Sequence, residues 1–366
     1  MRIASFNLEN LFSRVRALNL GDWDDGKVIL TEYAKVNARL QKDLYSPQDR
    51  QAIIASLTKL GLANSDESKW AILRQNRGHL LKRPQGGGIV ITATGRADWI
   101  GWVELNRQAV NETATRMTAR VIKDVNADVL AVIEAEDRVA LNMFNNQMLR
   151  PAAADYGQIM LIDGNDERGI DVGILTRPGH SIESIVSHVD DSAGGNRVFS
   201  RDCPEYLVNV NGRNVLVLVN HLKSKGFGSA ATSNAKRKAQ ATRVREIYLQ
   251  RRQQGADLIA VVGDFNDTPD SDPLSPLLST DLRDISTHPS FVSDGRPGTW
   301  QNGTANNKLD YVLLSPALFN RVTGGAVWRK GVWGGVNGTL FPHYEEMTAR
   351  VHAASDHAAI YADINL

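Results

Sequence analysis

The sequence predicts a layered α/β sandwich in which the sheets contain antiparallel pairs and the helices pack outside. Three observations carry this. Short apolar runs bounded by turn residues recur along most of the chain. Helical patterns separate only some of them. One pair of runs, 206–210 and 215–219, is joined by Asn211-Gly212-Arg213, too short for a crossover helix and suited to a hairpin.

Taken in order, residues 3–6 form the first predicted strand. A helix over 111–126 follows, with Val110, Ala114, Met117, Val121 and Val125 along one face. Runs 129–133 and 172–175 read as strands buried on both faces. The hairpin 206–219 comes next, then a helix over 235–254 with Ala239, Val244, Ile247 and Leu249 apolar among Arg, Lys and Gln. Runs 258–262, 311–314 and 359–364 complete the strands. Residues 13–110 stand apart: they carry no clear strand series, an amphipathic stretch at 49–60 and a basic, glycine-ended segment at 74–88. The reading is one domain over 1–366 with an insertion at about 13–110 that shapes substrate access.

Bulk properties narrow the function. With 42% hydrophobic and 23% charged residues the chain reads as soluble and globular. A formal net charge of +1 gives no global basic field, so any nucleic-acid surface is local. The single cysteine, Cys203, excludes an intramolecular disulfide framework and a cysteine-rich zinc site. No signal-peptide pattern and no membrane-spanning run is present, which predicts a cytoplasmic enzyme.

Chemistry-bearing residues fall at strand ends. Asn7 follows run 3–6, Glu134 follows 129–133, His221 follows 215–219, and Asp264 and Asn266 follow 258–262. Asp310 opens run 311–314, and Asp356-His357 precedes the last strand. Singly, each reads as a turn former, a helix cap or a satisfied polar residue. Together, six elements present carboxylates, amides and imidazoles where loops converge, a set suited to a hard cation and to proton transfer. A phosphate loop, a nucleophile elbow and a dinucleotide fingerprint are all absent.

Eight motifs in order then resemble the endonuclease/exonuclease/phosphatase superfamily, of deoxyribonuclease-I-like fold, nearest its bacterial nuclease-type members. They are Ser5-Phe6-Asn7-Leu8-Glu9-Asn10, Val132-Ile-Glu134-Ala-Glu136, Arg168-Gly-Ile-Asp171, Phe199-Ser-Arg201-Asp202, Asn220-His221-Leu-Lys223-Ser-Lys225-Gly226, Gly263-Asp264-Phe-Asn266, Leu309-Asp310-Tyr311 and Ser355-Asp356-His357. The resemblance implies a four-layer α/β sandwich, two packed mixed β-sheets flanked by helices, and Mg²⁺- or Mn²⁺-dependent phosphodiester hydrolysis. It implies Glu134, Asn7 and Asp356 at the metal, and Asp264 and Asn266 positioning and activating water. It also implies Asp310 orienting His357, His221 on the scissile phosphate and Asp171 orienting His221. Asn7, Arg168, Lys223 and Lys225 are the implied phosphate contacts. A histidine between carboxylate and phosphate is expected to favour its charged form.

Asp264 and His357 both remain candidates for the base. A nucleic-acid substrate is the leading expectation. Hydrolysis of a small or lipid phosphate, and a catalytically silent binding module, stand as alternatives. The basic residues after His221, from Lys223 to Arg245, read either as a solvated helix face or as a phosphate-tracking stripe.

Overall fold

A computed structural model describes residues 1–18, 20, 23–166, 168–225 and 229–366. By compactness they fall into two units, one of residues 13–109 and the other of residues 1–12, 110–225 and 229–366.

The larger unit holds the two large sheets. Its elements in order are β1 (Arg2–Asn7), α1 (Glu112–Val125), β2 (Val129–Ala135), β3 (Gln158–Ile162), β4 (Asp171–Thr176), β5 (His180–Val186), β6 (Glu205–Val210), β7 (Arg213–His221), α2 (Ala230–Gln253), β8 (Ile259–Asp264), β9 (Arg283–Asp284), β10 (Phe291–Val292), β11 (Asp310–Leu314), β12 (Val322–Trp328) and β13 (Ala359–Ile364). The first sheet runs β10-β12-β13-β1-β2-β4-β3 and the second β5-β6-β7-β8-β11-β9. Both are mixed: β1 pairs parallel with β2 and β7 with β8, while β13, β4, β6 and β11 pair antiparallel with their neighbours in these central strands. The hairpin between β6 and β7 turns on Asn211 (φ 51°) and Gly212 (φ 82°), the left-handed pair a two-residue turn requires.

Alternation of side chains assigns each strand to two cores. Ile3, Val129, Ala131 and Ile133 of the first sheet meet Val215, Val217, Val219, Ala260 and Val262 of the second in one apolar layer. On the outer faces, Phe6, Leu130 and Val132 pack on Met117, Val121 and Val125 of α1. Leu216, Leu218 and Val261 pack on Ala241, Val244 and Ile247 of α2. The result is the expected four layers, helix, sheet, sheet, helix.

Both helices are capped by their own sequence. Asn111 accepts a hydrogen bond from Thr113 N at the start of α1, and Asn126 (φ 49°) closes it in the left-handed conformation. Ser229 caps α2 through Thr232 N. The buried face of α2 differs from the sequence expectation. Ala239 is exposed, whereas Arg237 and Gln240 are fully buried beside Ala241 and Val244.

The smaller unit has its own core, in which Val36, Ile53, Leu57, Leu73, Trp99 and Val103 are buried. Helices Trp23–Leu40 and Pro47–Lys59 accompany short strand pairs, including Ala71–Arg77 with Ile100–Leu105. Ser46 and Asp49 form a reciprocal capping box on the second helix. The basic segment is partly neutralised, Arg74 by Glu104 and Arg83 by Asp66. Among the described residues no helix is long and apolar enough to cross a membrane.

Candidate active site

Strand direction explains why the polar residues meet. β1 and β2 run parallel, as do β7 and β8, so Asn7, Glu134, His221 and Asp264 all lie at carboxyl ends. β11 and β13 run the other way, which brings Asp310 and the Asp356-His357 pair to the same edge by their amino ends. Contacts across the sandwich close the cluster. His221 Nε2 lies 3.6 Å from Glu134 Oε1 and 3.7 Å from Asp264 Oδ2, and Asn7 Nδ2 donates to Asp264 Oδ2 at 3.3 Å.

Glu134 owes its placement to a β-bulge. Ala135 pairs with Asp171 and Ile133 with Val172, which leaves Glu134 without a partner at φ 61°. A left-handed non-glycine residue costs roughly 1–3 kcal/mol and persists only where surrounding contacts impose it. Here Asn10 N donates to Glu134 O and Leu8 N to Ile133 O. Glu9, Asn10 and Asn266 are left-handed as well, at φ 50°, 66° and 56°.

The turn after β8 is held on three sides. At Gly263 (φ 135°) the backbone passes so close to β7 that a Cβ would lie 1.9 Å from Asn220 O. Phe265 is fully buried and stacks on Tyr311 with ring centres 4.7 Å apart. Asn266 N donates to Asp264 Oδ1 at 2.8 Å, and Asn266 Nδ2 to Leu222 O at 3.1 Å.

Asp310 and His357 form a buried dyad, with Nδ1 of the ring 2.8 Å from Asp310 Oδ2. The other ring nitrogen is 3.9 Å from Asp264 Oδ2 and 3.8 Å from Asp356 Oδ1. Two neighbours escaped the sequence reading. Thr299 Oγ1 donates to Asp310 Oδ2 at 2.5 Å, and Trp300 Nε1 to Asp356 Oδ2 at 2.7 Å. Both come from a loop with no strand signal of its own, 11 residues from Asp310 and 56 from Asp356. The tripeptide Gly298-Thr299-Trp300 was the available hint.

Electrostatics separates the two histidines. Burial lowers the basicity of the His357 ring, but Asp310, Asp264 and Asp356 more than offset it and hold the ring charged. His221 goes the other way, well below an ordinary imidazole, because it is buried and faces the Arg201 and Arg168 guanidiniums. Without a phosphate beside it, the His221 ring therefore favours its neutral form. Burial pushes the Asp264 carboxyl up to about 7, with Asp310 and Glu134 adding to the push and His357 opposing it.

Asp171 and the expected phosphate contacts sit differently from the sequence reading. Asp171 accepts from Gly164 N at 2.9 Å, and among the described residues His221 Nδ1 has no hydrogen-bond partner, so no bond joins the two. Arg168 is bidentate on Asp166, at 2.8 and 2.6 Å. Lys223 is lowered to about 8 by burial and by the Arg168 and Arg201 charges. Lys225 Nζ is 2.6 Å from Asp267 Oδ1. The basic run beyond is largely spoken for within the protein: Arg237 by Asp267, Lys238 by Asp272, Arg243 by Asp191. This favours the helix-face reading over the phosphate stripe. Arg201 was quoted in a motif but given no role. It is fully buried, 3.0 Å from Asp166 Oδ2 though out of hydrogen-bond alignment, and burial lowers its basicity against the opposing charges of Asp166, Glu134 and Asp264.

The donor set suits a hard divalent cation. Ligand atoms of Asp264, Asp310 and His357 lie within 4.8 Å of one another, and buried Asp310 Oδ1 has no hydrogen-bond partner. This trio is not the expected set of Glu134, Asn7 and Asp356. In it Asp310 and His357 are already bonded to each other, so a cation there competes with the dyad, whereas the Glu134 side chain stays 20% exposed and open to one.

Residues 105–357 match the family profile described as Endonuclease/Exonuclease/phosphatase family. No curated protein matches the chain. Among solved structures, mannosyl-6-phosphatase of Bacteroides thetaiotaomicron is similar at 17% identity and a TM-score of 0.51, over 69% of this chain and 92% of that one. An endonuclease/exonuclease/phosphatase family protein of the same organism is similar at 17% identity and 0.50, over 68% and 86%. The human nocturnin catalytic domain with bound sulfate gives 17% identity and 0.48, over 70% and 88%.

Proposed function

The chain belongs to the endonuclease/exonuclease/phosphatase family and is a phosphoester hydrolase; from that premise we propose that it is a Mg²⁺- or Mn²⁺-dependent nuclease that cleaves DNA, and RNA as a second substrate, by in-line attack of water. The observation that carries the reading is the single cluster of His221, Glu134, Asp264 and the Asp310–His357 dyad, with Arg201, Arg168 and Lys223 beside it. Arg168 and Arg201 are both held by Asp166 and act on the field at His221, which leaves Lys223 as the contact to a phosphate beyond the one cleaved.

Glu134, with Asn7 and Asp356, would hold a hard divalent cation, which would supply charge neutralisation at the phosphoryl group. Asp264 holds or takes the proton of the attacking water, since burial brings its carboxyl near neutrality. Asn266 orients that water. Charged His357, fixed by Asp310, presents Nε2 toward Asp264 and the phosphate. Neutral His221 binds a phosphoryl oxygen through its ring N–H. Lys223 holds a neighbouring phosphate.

Plasmid nicking with Mg²⁺ or Mn²⁺ tests this, with a chelator control and the variants Glu134→Gln and His221→Ala. Nicking that stops with chelator and falls roughly 10²–10³-fold in each variant is expected. The neighbour named mannosyl-6-phosphatase supplies the competing substrate class. Release of inorganic phosphate from a sugar 6-phosphate without any nicking overturns the nuclease reading in favour of a small-molecule phosphatase.

A further inference from the structure

Asp267, which follows Asn266 in the turn after β8, is 4% exposed and joins the segments that carry the second-sheet site residues. Its Oδ2 accepts from Arg237 Nε at 2.8 Å, with Nη2 also 2.8 Å away, while Oδ1 takes Lys225 Nζ at 2.6 Å and Thr268 N at 3.0 Å. Its carbonyl accepts from Tyr311 OH at 2.8 Å. The Arg237 side chain, fully buried on α2, also donates to Lys223 O at 2.5 Å and Asn234 Oδ1 at 2.6 Å. Gln240, one turn further along α2 and also buried, accepts from Lys223 N at 2.7 Å. The two tied segments also bond each other: Leu222 N donates to Asp264 O at 2.9 Å, and Asn266 Nδ2 to Leu222 O.

We infer that Asp267 and Arg237 are positioning residues that clamp the segment after His221 to the turn carrying Asp264 and Asn266. The inference rests on the phosphoester-hydrolase reading of the site. A buried ion pair is weak evidence for stability, because apolar residues of equal volume often serve as well. An apolar pair, however, cannot set a register between two loops. The planar fork of Arg237 does so by addressing the carboxylate of one segment and the carbonyl of the other at once. Lys225 is held by the same carboxylate and belongs to this clamp, not to a surface waiting for phosphate. Because misplacement of a reacting group by about 1 Å costs on the order of 10²-fold in rate, the clamp acts on turnover rather than on affinity.

The test uses the full chain, with bis(4-nitrophenyl) phosphate and Mn²⁺ for kinetics and amide hydrogen exchange as a second readout. Asp267→Asn keeps the shape and the acceptor for Thr268 N but leaves the Arg237 charge without its counterion. The pair is therefore also replaced together, as Asp267→Asn with Arg237→Met. In the folded double variant, kcat is expected to fall about 10- to 100-fold with KM within about twofold. Exchange is expected to quicken at 221–225 and 264–268 and nowhere else. Wild-type kcat in the folded double variant overturns the inference, and so does a fall in kcat with exchange unchanged. A wild-type protein inactive on the diester defeats the nuclease reading instead, and the exchange readout still judges the clamp.

Discussion

Replacing Thr299 with valine removes one hydroxyl from a fully buried residue and changes little else in shape. That hydroxyl donates to Asp310 Oδ2 at 2.5 Å and accepts from Asp310 N at 3.0 Å and Leu309 N at 3.3 Å. The backbone bonds of residue 299, to Asn307 O and from Ala358 N, survive the change. A hydrogen bond to a carboxylate contributes about 1.5–3 kcal/mol, and each buried N–H left without an acceptor costs about 1 kcal/mol or more. Thr299→Val is therefore expected to lose about 3–5 kcal/mol of stability. Its Asp310 would keep only the His357 contact on Oδ2, since Oδ1 has none. With the carboxylate free to rotate, His357 loses its fixed orientation, and kcat is expected to fall about 10- to 100-fold, equivalent to about 1.4–2.8 kcal/mol of barrier. Thr299→Ser keeps the hydroxyl and is expected to recover most of both. Urea unfolding and steady-state kinetics under Mn²⁺ measure the two effects. A valine variant within about 1 kcal/mol and about twofold of the serine variant would refute the reasoning.

Two further outcomes follow from charge and burial. Because the folded-state Asp264 carboxyl is raised to about 7, above the ordinary ~3.9, its ionisation weakens the fold progressively between those values. Metal-free Asp264→Asn is thus expected to be inactive yet more stable than wild type above pH 7, and a lower melting temperature at pH 8 with chelator contradicts this. His188 places Nδ1 2.9 Å from Asp191 and Nε2 2.9 Å from Glu205, so both nitrogens donate and its pKa is raised. Its stabilisation is complete below the ordinary ~6.5 and lost as pH rises through the raised folded value. The melting-temperature gap between wild type and His188→Gln is expected to close with rising pH. A gap that widens from pH 6 to pH 9 rules this out.

Eight strands were legible because each is a short apolar run that stops at turn residues, and burial on both faces leaves few other readings for runs such as 129–133 and 258–262; strands 158–162, 180–186 and 322–328, partly exposed, were missed. The helix over 111–126 was legible for the same local reason, down to Asn111 and Asn126 at its two ends. The α2 face was misread because an arginine and a glutamine look like solvent residues in a periodic pattern. Arg237 and Gln240 are buried only because Asp267 and Lys223, brought from other segments, satisfy them.

What this sequence determined by itself is eight of the strands in the two large sheets, the two long helices over them, the layering and the list of polar strand ends, all of which rest on local periodicity and on chemistry visible one segment at a time. Which of those residues touch, and in which charge state, was decided by the tertiary structure alone. His221 and His357 are the same side chain at two strand ends. One is driven toward neutral by burial and two arginines despite the carboxylates near it, and the other is held charged among three carboxylates. That difference is a sum over neighbours up to hundreds of residues away in the chain, and a pattern read along the chain contains no term for it.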